Sequence, residues 1–317
     1  MERGVFGIDV SQATLDIARE GHAEVIKIAN STSDIRNWLK SIPSHSMIAV
    51  ESTGKLHLAL VRAALAAGHT LYVLSPRDLH YYARSLGRRA KTDRLDALLI
   101  ARYLQREHAN LHPYQLPSQL QAQLQELLVL RHGLVVKNEA LRQSFSTAAC
   151  ELRATKKLLQ GFKMAIQEID QRLEKLIAQD PHLASAANNL RTVPGFGPLL
   201  SASLVHAIKR HPFTSSDSFI AYIGLDPRAR DSGQLKGRRY LSKRGPALMR
   251  RLLFVAAMSA CKTKVWQPTY QHYRARGFST TATLVILARK LARLAFSIVR
   301  NGTIFQPERL ISACTQP

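Results

Sequence analysis

Two aspartates three residues apart, Asp93 and Asp96, stand at the start of an apolar repeat that continues to Leu104. On an α-helix this spacing places both carboxylates on one face, one turn apart. Acids also stabilise a helix N-terminus, so the pair alone does not identify a site. Two further acids, Asp9 and Glu51, each end an apolar run earlier in the chain. Four carboxylates that meet repel each other unless cations neutralise them, so the pattern predicts a site for two divalent metal ions.

The first hundred residues carry the signals of a mixed sheet. Strands are predicted at Val5–Val10, Thr14–Arg19, Val25–Ile28, Met47–Glu51 and Leu71–Ser75. Helices are predicted near 32–39, 55–67, 77–86 and 93–107. The order βββαβαβα is that of the ribonuclease-H-like arrangement, in which the first and fourth strands lie side by side. Asp9 and Glu51 would then be neighbours, and Asp93 and Asp96 would face them from the last helix.

The length of 317 residues suits two domains and a connector. We predict an α/β domain over 1–115, a helical connector over 116–185 and a mainly helical domain over 186–317. The fold class is therefore α/β plus all-α.

A strong positive charge predicts a polyanionic partner. The chain has 45 Lys and Arg against 22 Asp and Glu, a net charge of +23. Such a field favours nucleic acid above other partners. Arg88, Arg89 and Lys91, beside the predicted last helix, are candidates for phosphate contacts, although a solvated charged stretch is an alternative.

Three isolated cysteines, Cys150, Cys261 and Cys314, indicate a reducing compartment and no zinc site. The N-terminus leads directly into a strand, and the apolar runs contain Arg or Lys. We therefore expect no signal peptide, no membrane span and a cytoplasmic location.

The connector carries a heptad repeat. Apolar residues between Leu120 and Leu152 alternate spacings of four and three, interrupted by Arg131 and Asn138. A second run, 159–176, keeps the same rhythm. The pattern fits a helical hairpin within one chain or a coiled coil between subunits, and we favour the second interpretation.

The C-terminal region carries two nucleic-acid signals. Thr192–Pro198 resembles a helix–hairpin–helix turn, in which Gly195 and Gly197 would let backbone N–H groups approach a phosphate. A dense basic segment follows, and like charges this close repel unless phosphates separate them. Its predicted nucleic-acid contacts are Arg228, Arg230, Lys236, Arg238, Arg239, Lys243 and Arg244.

The same segment contains Asp231-Ser232-Gly233. A serine beside glycine is by default a turn former, so spacing alone does not make Ser232 a nucleophile. Ser242 is the nearest rival, and the sequence predicts that it caps a helix over 246–262.

Taken together, these segments resemble one family, the DEDD insertion-sequence transposases, which include the Piv-type DNA invertases and the bridge-RNA-guided recombinases. The resemblance to its RuvC-like acid motifs lies in Gly7–Val10, Val50–Gly54 and Lys91–Ala97. The resemblance to its C-terminal transposase domain lies in Val193–Gly197, Phe219–Leu225 and Ser242–Gly245. It extends over nearly the whole chain.

This resemblance implies a reaction. Ser232 matches the family's nucleophilic serine, and Asp9, Glu51, Asp93 and Asp96 match its Mg²⁺ ligands. The serine would form a covalent phosphoserine link with DNA before strand exchange. The implied partners are double-stranded donor and target DNA, a structured guide RNA and further copies of the chain, as a dimer and a synaptic tetramer, in the bacterial cytoplasm. The spacing from Ser232 to Ser242 departs slightly from the family pattern.

Two alternatives remain open at this point. A metal-dependent junction resolvase or nuclease would use the same four acids with water as the nucleophile. A nucleic-acid-binding protein with an inactive ribonuclease-H-like domain is the non-enzymatic alternative, and the intact set of four acids argues against it.

Overall fold

The structure is a computed structural model that describes residues 3–52, 54, 56–87, 93–146, 153–229 and 239–308. The chain divides into two compact units, Met1–Leu116 and Pro117–Pro317, each with its own hydrophobic core. Within the described ranges, no helix is both long enough and apolar enough to cross a membrane.

The first unit is built on a five-stranded mixed sheet. Its strands are β1 (Val5–Val10), β2 (Thr14–Arg19), β3 (Val25–Ala29), β4 (Met47–Glu51) and β5 (Thr70–Leu74). Its helices are α1 (Thr32–Ser41), α2 (Leu58–Ala66), α3 (Pro76–Ser85) and α4 (Asp93–Glu107). The strand order is β3-β2-β1-β4-β5, with β1–β2 and β2–β3 antiparallel and β1–β4 and β4–β5 parallel. The predicted βββαβαβα order and the pairing of the first and fourth strands are confirmed.

Alternation along the strands separates the two faces of this sheet. Ile8, Val50 and their alternate neighbours form a core with α1 and α2. Val5 and Ala49, on the opposite face, belong to a second core with Ile100 and other residues of α4. The unit therefore has three layers, with helices on both faces of the sheet.

The second unit is mainly helical, as predicted. Its helices are α5 (Gln119–Ser146), α6 (Arg153–Ala178), α7 (Pro181–Arg191), α8 (Pro198–Arg210), α9 (Ser216–Ile223), α10 (Ala247–Ala260), α11 (Gln267–Ala275) and α12 (Thr280–Asn301). The short strands β6 (Pro227–Ala229) and β7 (Arg239–Leu241) form an antiparallel ribbon. At the centre, α8 is buried along nearly its whole length, and α12 contacts α7, α8, α9, α10 and α11.

The two long helices of the predicted connector pack against each other within the chain. Arg131, which interrupts the heptad repeat, makes two contacts with Asp170 of α6, Nε to Oδ1 at 2.5 Å and Nη2 to Oδ2 at 2.9 Å. Leu128 of α5 and Leu173 of α6 lie in the same core as α8 and α12. The pairing of α5 with α6 within one chain is therefore present. Pairing of these helices between subunits stays a prediction, and so does a connector domain separate from residues 186–317.

A buried histidine joins α8 to α5. Nε2 of His206 lies 2.9 Å from Oε1 of Gln125, so the neutral ring with a proton on Nε2 donates to this amide. Burial, reinforced by the charges of His211 and Arg210, lowers the pKa of His206 to about 4.

This pKa predicts a loss of stability in acid. The unfolded state takes up a proton as the pH falls below 6.5, whereas the folded ring stays neutral to about pH 4. The contribution of His206 is therefore complete above pH 6.5 and is lost as the pH falls towards 4. We expect the loss of this contribution to lower the free energy of unfolding of the second unit by about 2 kcal/mol between pH 7.5 and pH 5.

Denaturant unfolding measures this loss in a Trp38→Phe background, where the buried Trp266 of the second unit is the only tryptophan. His206→Gln should reduce the pH dependence, and His182→Gln, at an exposed position of α7, should leave it unchanged. Equal pH dependence in wild type and His206→Gln would contradict the prediction.

Candidate functional site

The parallel pairing of β1 with β4 brings two of the predicted acids to adjacent positions. Ile8 pairs with Val50, and Asp9 and Glu51 are the next residues of their strands. Paired positions on neighbouring strands share a face of the sheet, and both acids are half-buried. Asp9 and Glu51 therefore lie side by side at the carboxyl end of the two central strands.

Gly7 fixes the face on which α4 packs. A Cβ atom at Gly7 would overlap the backbone nitrogen of Ala101 and the carbonyl oxygen of Ala97. Since Gly7 is two residues before Asp9, both face the same side of the sheet. Helix α4, with Asp93 and Asp96 in its first turn, therefore covers the face that carries Asp9 and Glu51.

Helix α4 crosses this face obliquely. Leu98 packs near Ala18 and Val25, and Arg94 Nη2 donates to the carbonyl of Ala23 over 3.0 Å, so the first turn lies over the β2–β3 side. After the helix, Leu111 packs with the core that contains Val5 at the start of β1.

The donor chemistry of these acids fits a hard divalent cation, because all four would offer carboxylate oxygens. Asp93 lies in α4, but its side chain is outside the described part of the structure. Among the side chains that are described, no group of three or more His, Cys, Asp or Glu is arranged to hold a metal ion. The sheet and α4 thus bring Asp9, Glu51 and Asp96 to one face but do not gather them as ligands of one ion.

Sequence reasoning passed over one buried acid on the same face. Asp16 of β2 pairs directly with Asp9 in the antiparallel ladder and is only 6 % exposed. Its Oδ1 lies 3.4 Å from Nζ of Lys27 on β3. The two-residue turn between β1 and β2, Gln12-Ala13, sets this register, so a hairpin register worked out from the turn would have found the pair.

A cleft of about 820 Å³ lies on the opposite face, between α1 and α2. Arg36, Lys40, Arg62 and His69 contribute to its lining. None of the acids with described side chains lines it, so the cleft is separate from the candidate metal site.

Several predicted site residues fall outside the described part of the chain. They are Arg88, Arg89, Lys91, Arg230, Ser232, Lys236 and Arg238.

The ribbon formed by β6 and β7 flanks the segment that contains Ser232. Arg228 pairs with Tyr240, and Ala229 pairs with Arg239, so the described parts of the ribbon are antiparallel neighbours. The two predicted nucleic-acid contacts on the ribbon, Arg228 and Arg239, are both exposed.

The base of the ribbon is closed by Asp226 and Ser242. The Ser242 hydroxyl donates to Oδ1 of Asp226, and the Ser242 N–H donates to the Asp226 carbonyl over 3.0 Å. The predicted cap on the following helix is wrong, because Pro246 is the N-cap residue of α10 and no side chain caps it. Ser242 holds the ribbon instead.

Two glycines allow the loop after Ser242 to pack on α9. Gly224 has φ +70° and Gly245 has φ +87°, and a Cβ atom at either would overlap backbone atoms of the other segment. Nη1 of Arg250 bonds to the carbonyls of Ile223 (3.1 Å) and Gly245 (2.9 Å). Lys243 is exposed and Arg244 half-buried in this loop.

Asp226 interacts with the cationic side chains of Arg228 and Arg289. Nε of Arg228 lies 3.8 Å from its Oδ2. Burial and the neighbouring Arg293 lower the pKa of Arg289, and the charges of Asp217 and Asp226 act in the opposite direction.

The helix–hairpin–helix-like turn lies between α7 and α8. Gly195 has φ +99°, and a Cβ atom there would lie 2.9 Å from the carbonyl oxygen of Ala256 on α10. Gly197 is exposed and is the N-cap residue of α8. Close packing on α10 thus accounts for Gly195, and phosphate contact at either glycine stays a prediction.

Two protein-family models match the chain. A DEDD transposase model of the IS110 type matches residues 6–149, and a model described as the transposase IS116/IS110/IS902 family matches residues 187–273.

The chain belongs to the DEDD-type insertion-sequence transposases. It is a DNA transposase or recombinase, and this family uses divalent metal ions.

Similar proteins come from several bacteria. The pilin gene-inverting protein of Moraxella bovis is 26 % identical over 319 residues, covering 96 % of this chain and 98 % of the relative. A probable family 20 transposase of Pseudomonas aeruginosa is 24 % identical, and the match covers 87 % of this chain and 90 % of the relative. The transposase for insertion sequence element IS1328 of Yersinia enterocolitica is 30 % identical over 145 residues, covering 44 % and 42 %.

The contact at Gly7 predicts a severe effect of one methyl group on this transposase. Because Gly7→Ala places Cβ against helix backbone, no side-chain movement in α4 relieves the overlap. We expect a loss of at least about 2 kcal/mol in the free energy of unfolding of the first unit.

Trp38 fluorescence in a Trp266→Phe background measures unfolding of that unit. Gly21→Ala is the matched control, because its added methyl meets no atom within 4 Å and only its φ of +80° is unfavourable. A loss for Gly7→Ala no larger than that for Gly21→Ala would show that α4 does not depend on this contact.

Proposed function

We propose that this transposase cuts and exchanges DNA strands through a covalent phosphoserine link on Ser232, with Mg²⁺ held by Asp9, Glu51, Asp93 and Asp96. The observation that carries the proposal is the register of β1 and β4, which makes Asp9 and Glu51 neighbours on the face that α4 covers. The resemblance of the sequence motifs to the DEDD family adds the expected roles of the four acids and of the serine.

The chain's own residues would act as follows. The Ser232 hydroxyl attacks a DNA phosphorus, the new Oγ–P bond replaces a P–O bond to deoxyribose, and the leaving hydroxyl takes up a proton. A hydroxyl of a different DNA end then attacks the same phosphorus, and Ser232 regains its proton. Bound Mg²⁺ would supply charge neutralisation at the phosphate and favour deprotonation of the attacking hydroxyl. No water is consumed, so bond energy is conserved between the cut and rejoined strands.

The proposed reaction uses acids of the first unit and Ser232 of the second. We include a homo-oligomer, a dimer that becomes a tetramer with two DNAs, because α5 and α6 leave apolar side chains exposed. Val129, Val136 and Met164 are examples. Such residues are typical of protein contacts when they form a patch.

Phosphates of DNA and RNA would be bound by the basic residues of the second unit and by the predicted contacts outside the described residues. The described basic residues are Arg228, Arg239, Lys243 and Arg244, and the turn glycines Gly195 and Gly197 would add backbone contacts. The net charge of +23 supports this role. A cytoplasmic location is part of the proposal.

The nucleophile is tested with end-labelled DNA that carries the sequences flanking the gene. We expect Ser232→Ala to abolish the covalent protein–DNA product in denaturing gels. Ser242→Ala, which removes the hydroxyl that holds the ribbon base but keeps Ser232, should retain the covalent link at a lower yield. Chelation of divalent ions with EDTA should abolish the product in wild type. Trp266 fluorescence, measured in a Trp38→Phe background, checks that the second unit stays folded in each variant.

If Ser232→Ala still cuts DNA with wild-type yield, water is the nucleophile and the protein is a metal-dependent nuclease of the resolvase type. If the covalent link is lost in Ser242→Ala instead, the serine is misassigned.

The guide RNA is tested by expressing the full chain with and without its flanking DNA. We expect the protein to retain a discrete RNA only when the flanks are present, because base pairing of that RNA would supply the sequence recognition that phosphate contacts lack. Ribonuclease treatment should then abolish strand exchange, while Ser232→Ala should retain the RNA. Strand exchange that survives ribonuclease would contradict RNA guidance.

A further inference from the structure

A row of charged residues crosses four strands of the first unit. Asp9 pairs with Asp16, and Asp16 pairs with Lys27. Glu51 follows the residue of β4 that pairs with Ile8. Because paired positions share a face, the row Glu51, Asp9, Asp16 and Lys27 lies on the side covered by α4.

The adjacent row on the same face is apolar. Gly7 pairs with Ala18, and Ala18 pairs with Val25. These residues pack against Ala97 and Ala101 of α4. The contacts with α4 are thus made by the apolar row, and the charged row lies two positions further along each strand. Core packing therefore does not require a carboxylate at position 16.

Asp16 occupies a position that its neighbours make unfavourable. It is almost fully buried and lies directly opposite another carboxylate, Asp9, an arrangement that destabilises an antiparallel pair. A buried carboxylate needs a cation or hydrogen bonds to offset its lost hydration. Lys27, whose side chain is 57 % exposed, supplies one positive charge 3.4 Å away.

We propose that Asp16 and Lys27 are positioning residues that set the cation affinity of the metal site at Asp9 and Glu51, without binding the ion themselves. This inference rests on the proposed function. The carboxylate of Asp16 attracts a cation to the adjacent Asp9, and the ammonium group of Lys27 offsets part of that attraction. The first turn of α4, which carries the other two acids, lies over β2 and β3, where its Arg94 contacts Ala23 in the turn between these strands.

The two residues should act in opposite directions. Asp16→Asn leaves Lys27 as an uncompensated positive charge, and we expect it to raise the dissociation constant for a divalent ion roughly tenfold. Lys27→Gln leaves Asp16 as an uncompensated negative charge and should lower that constant roughly threefold, since Lys27 is more exposed. The double variant removes both charges and should bind roughly threefold more weakly than wild type, because the tenfold loss outweighs the threefold gain. A purely structural pair would give weaker binding, or no change, in both single variants.

The experiment titrates Mn²⁺ into the full chain without nucleic acid and measures the free ion by electron paramagnetic resonance. Asp34→Asn and Lys40→Gln on α1, which packs on the opposite face, make the same charge changes and should leave the affinity unchanged. Lys27 is exposed, so Lys27→Gln tests the proposal even if Asp16→Asn fails to fold.

Opposite shifts in the single variants, with an intermediate affinity in the double variant, are the supporting result. Shifts of the same sign, or none, with intact wild-type binding would overturn this inference alone. Absence of Mn²⁺ binding in wild type and in every variant would overturn the proposed metal site together with it.

Discussion

The contact between Gly7 and the backbone of α4 determines how closely the acids of α4 approach the acids of the sheet. A helix normally packs on a sheet through side chains, which keep the two backbones apart. Here the absence of a side chain on β1 lets Ala97 and Ala101 lie directly on the strand. The helix that carries Asp93 and Asp96 in its first turn is therefore held close to the strand that carries Asp9 near its end. Small residues on both sides of the contact, not a large apolar core, make this proximity possible.

The sequence was sufficient to predict the sheet and two of its acids, because adjacent parallel strands align their carboxyl ends whatever the exact loop lengths. Asp9 and Glu51 could be placed together from strand order alone. Asp16 could not be found in this way, because its position opposite Asp9 depends on the turn at Gln12-Ala13. A shift of one residue there would turn Asp16 to the opposite face.

The base of the β6–β7 ribbon shows a second limit of local rules. A serine shortly before a helix favours capping, yet Ser242 bonds to Asp226, sixteen residues earlier in the chain. The tight approach of the two segments depends on Gly224 and Gly245, whose positive φ values L-amino acids with side chains rarely adopt. Local capping preference is worth about 1 kcal/mol, so a tertiary contact of this kind easily overrides it.

The long helices α5 and α6 show what a heptad repeat leaves undecided. The repeat predicts an apolar seam, but the same seam can pair with the next helix of its own chain or with another subunit. The bidentate Arg131–Asp170 contact and the burial of Leu124 and Leu173 use this seam within the chain. Val129 and Val136 lie two residues from the nearest seam positions and remain exposed. Any contact between subunits along α5 therefore has to use a second face of the helix, so the intrachain hairpin and an oligomer are compatible rather than competing arrangements.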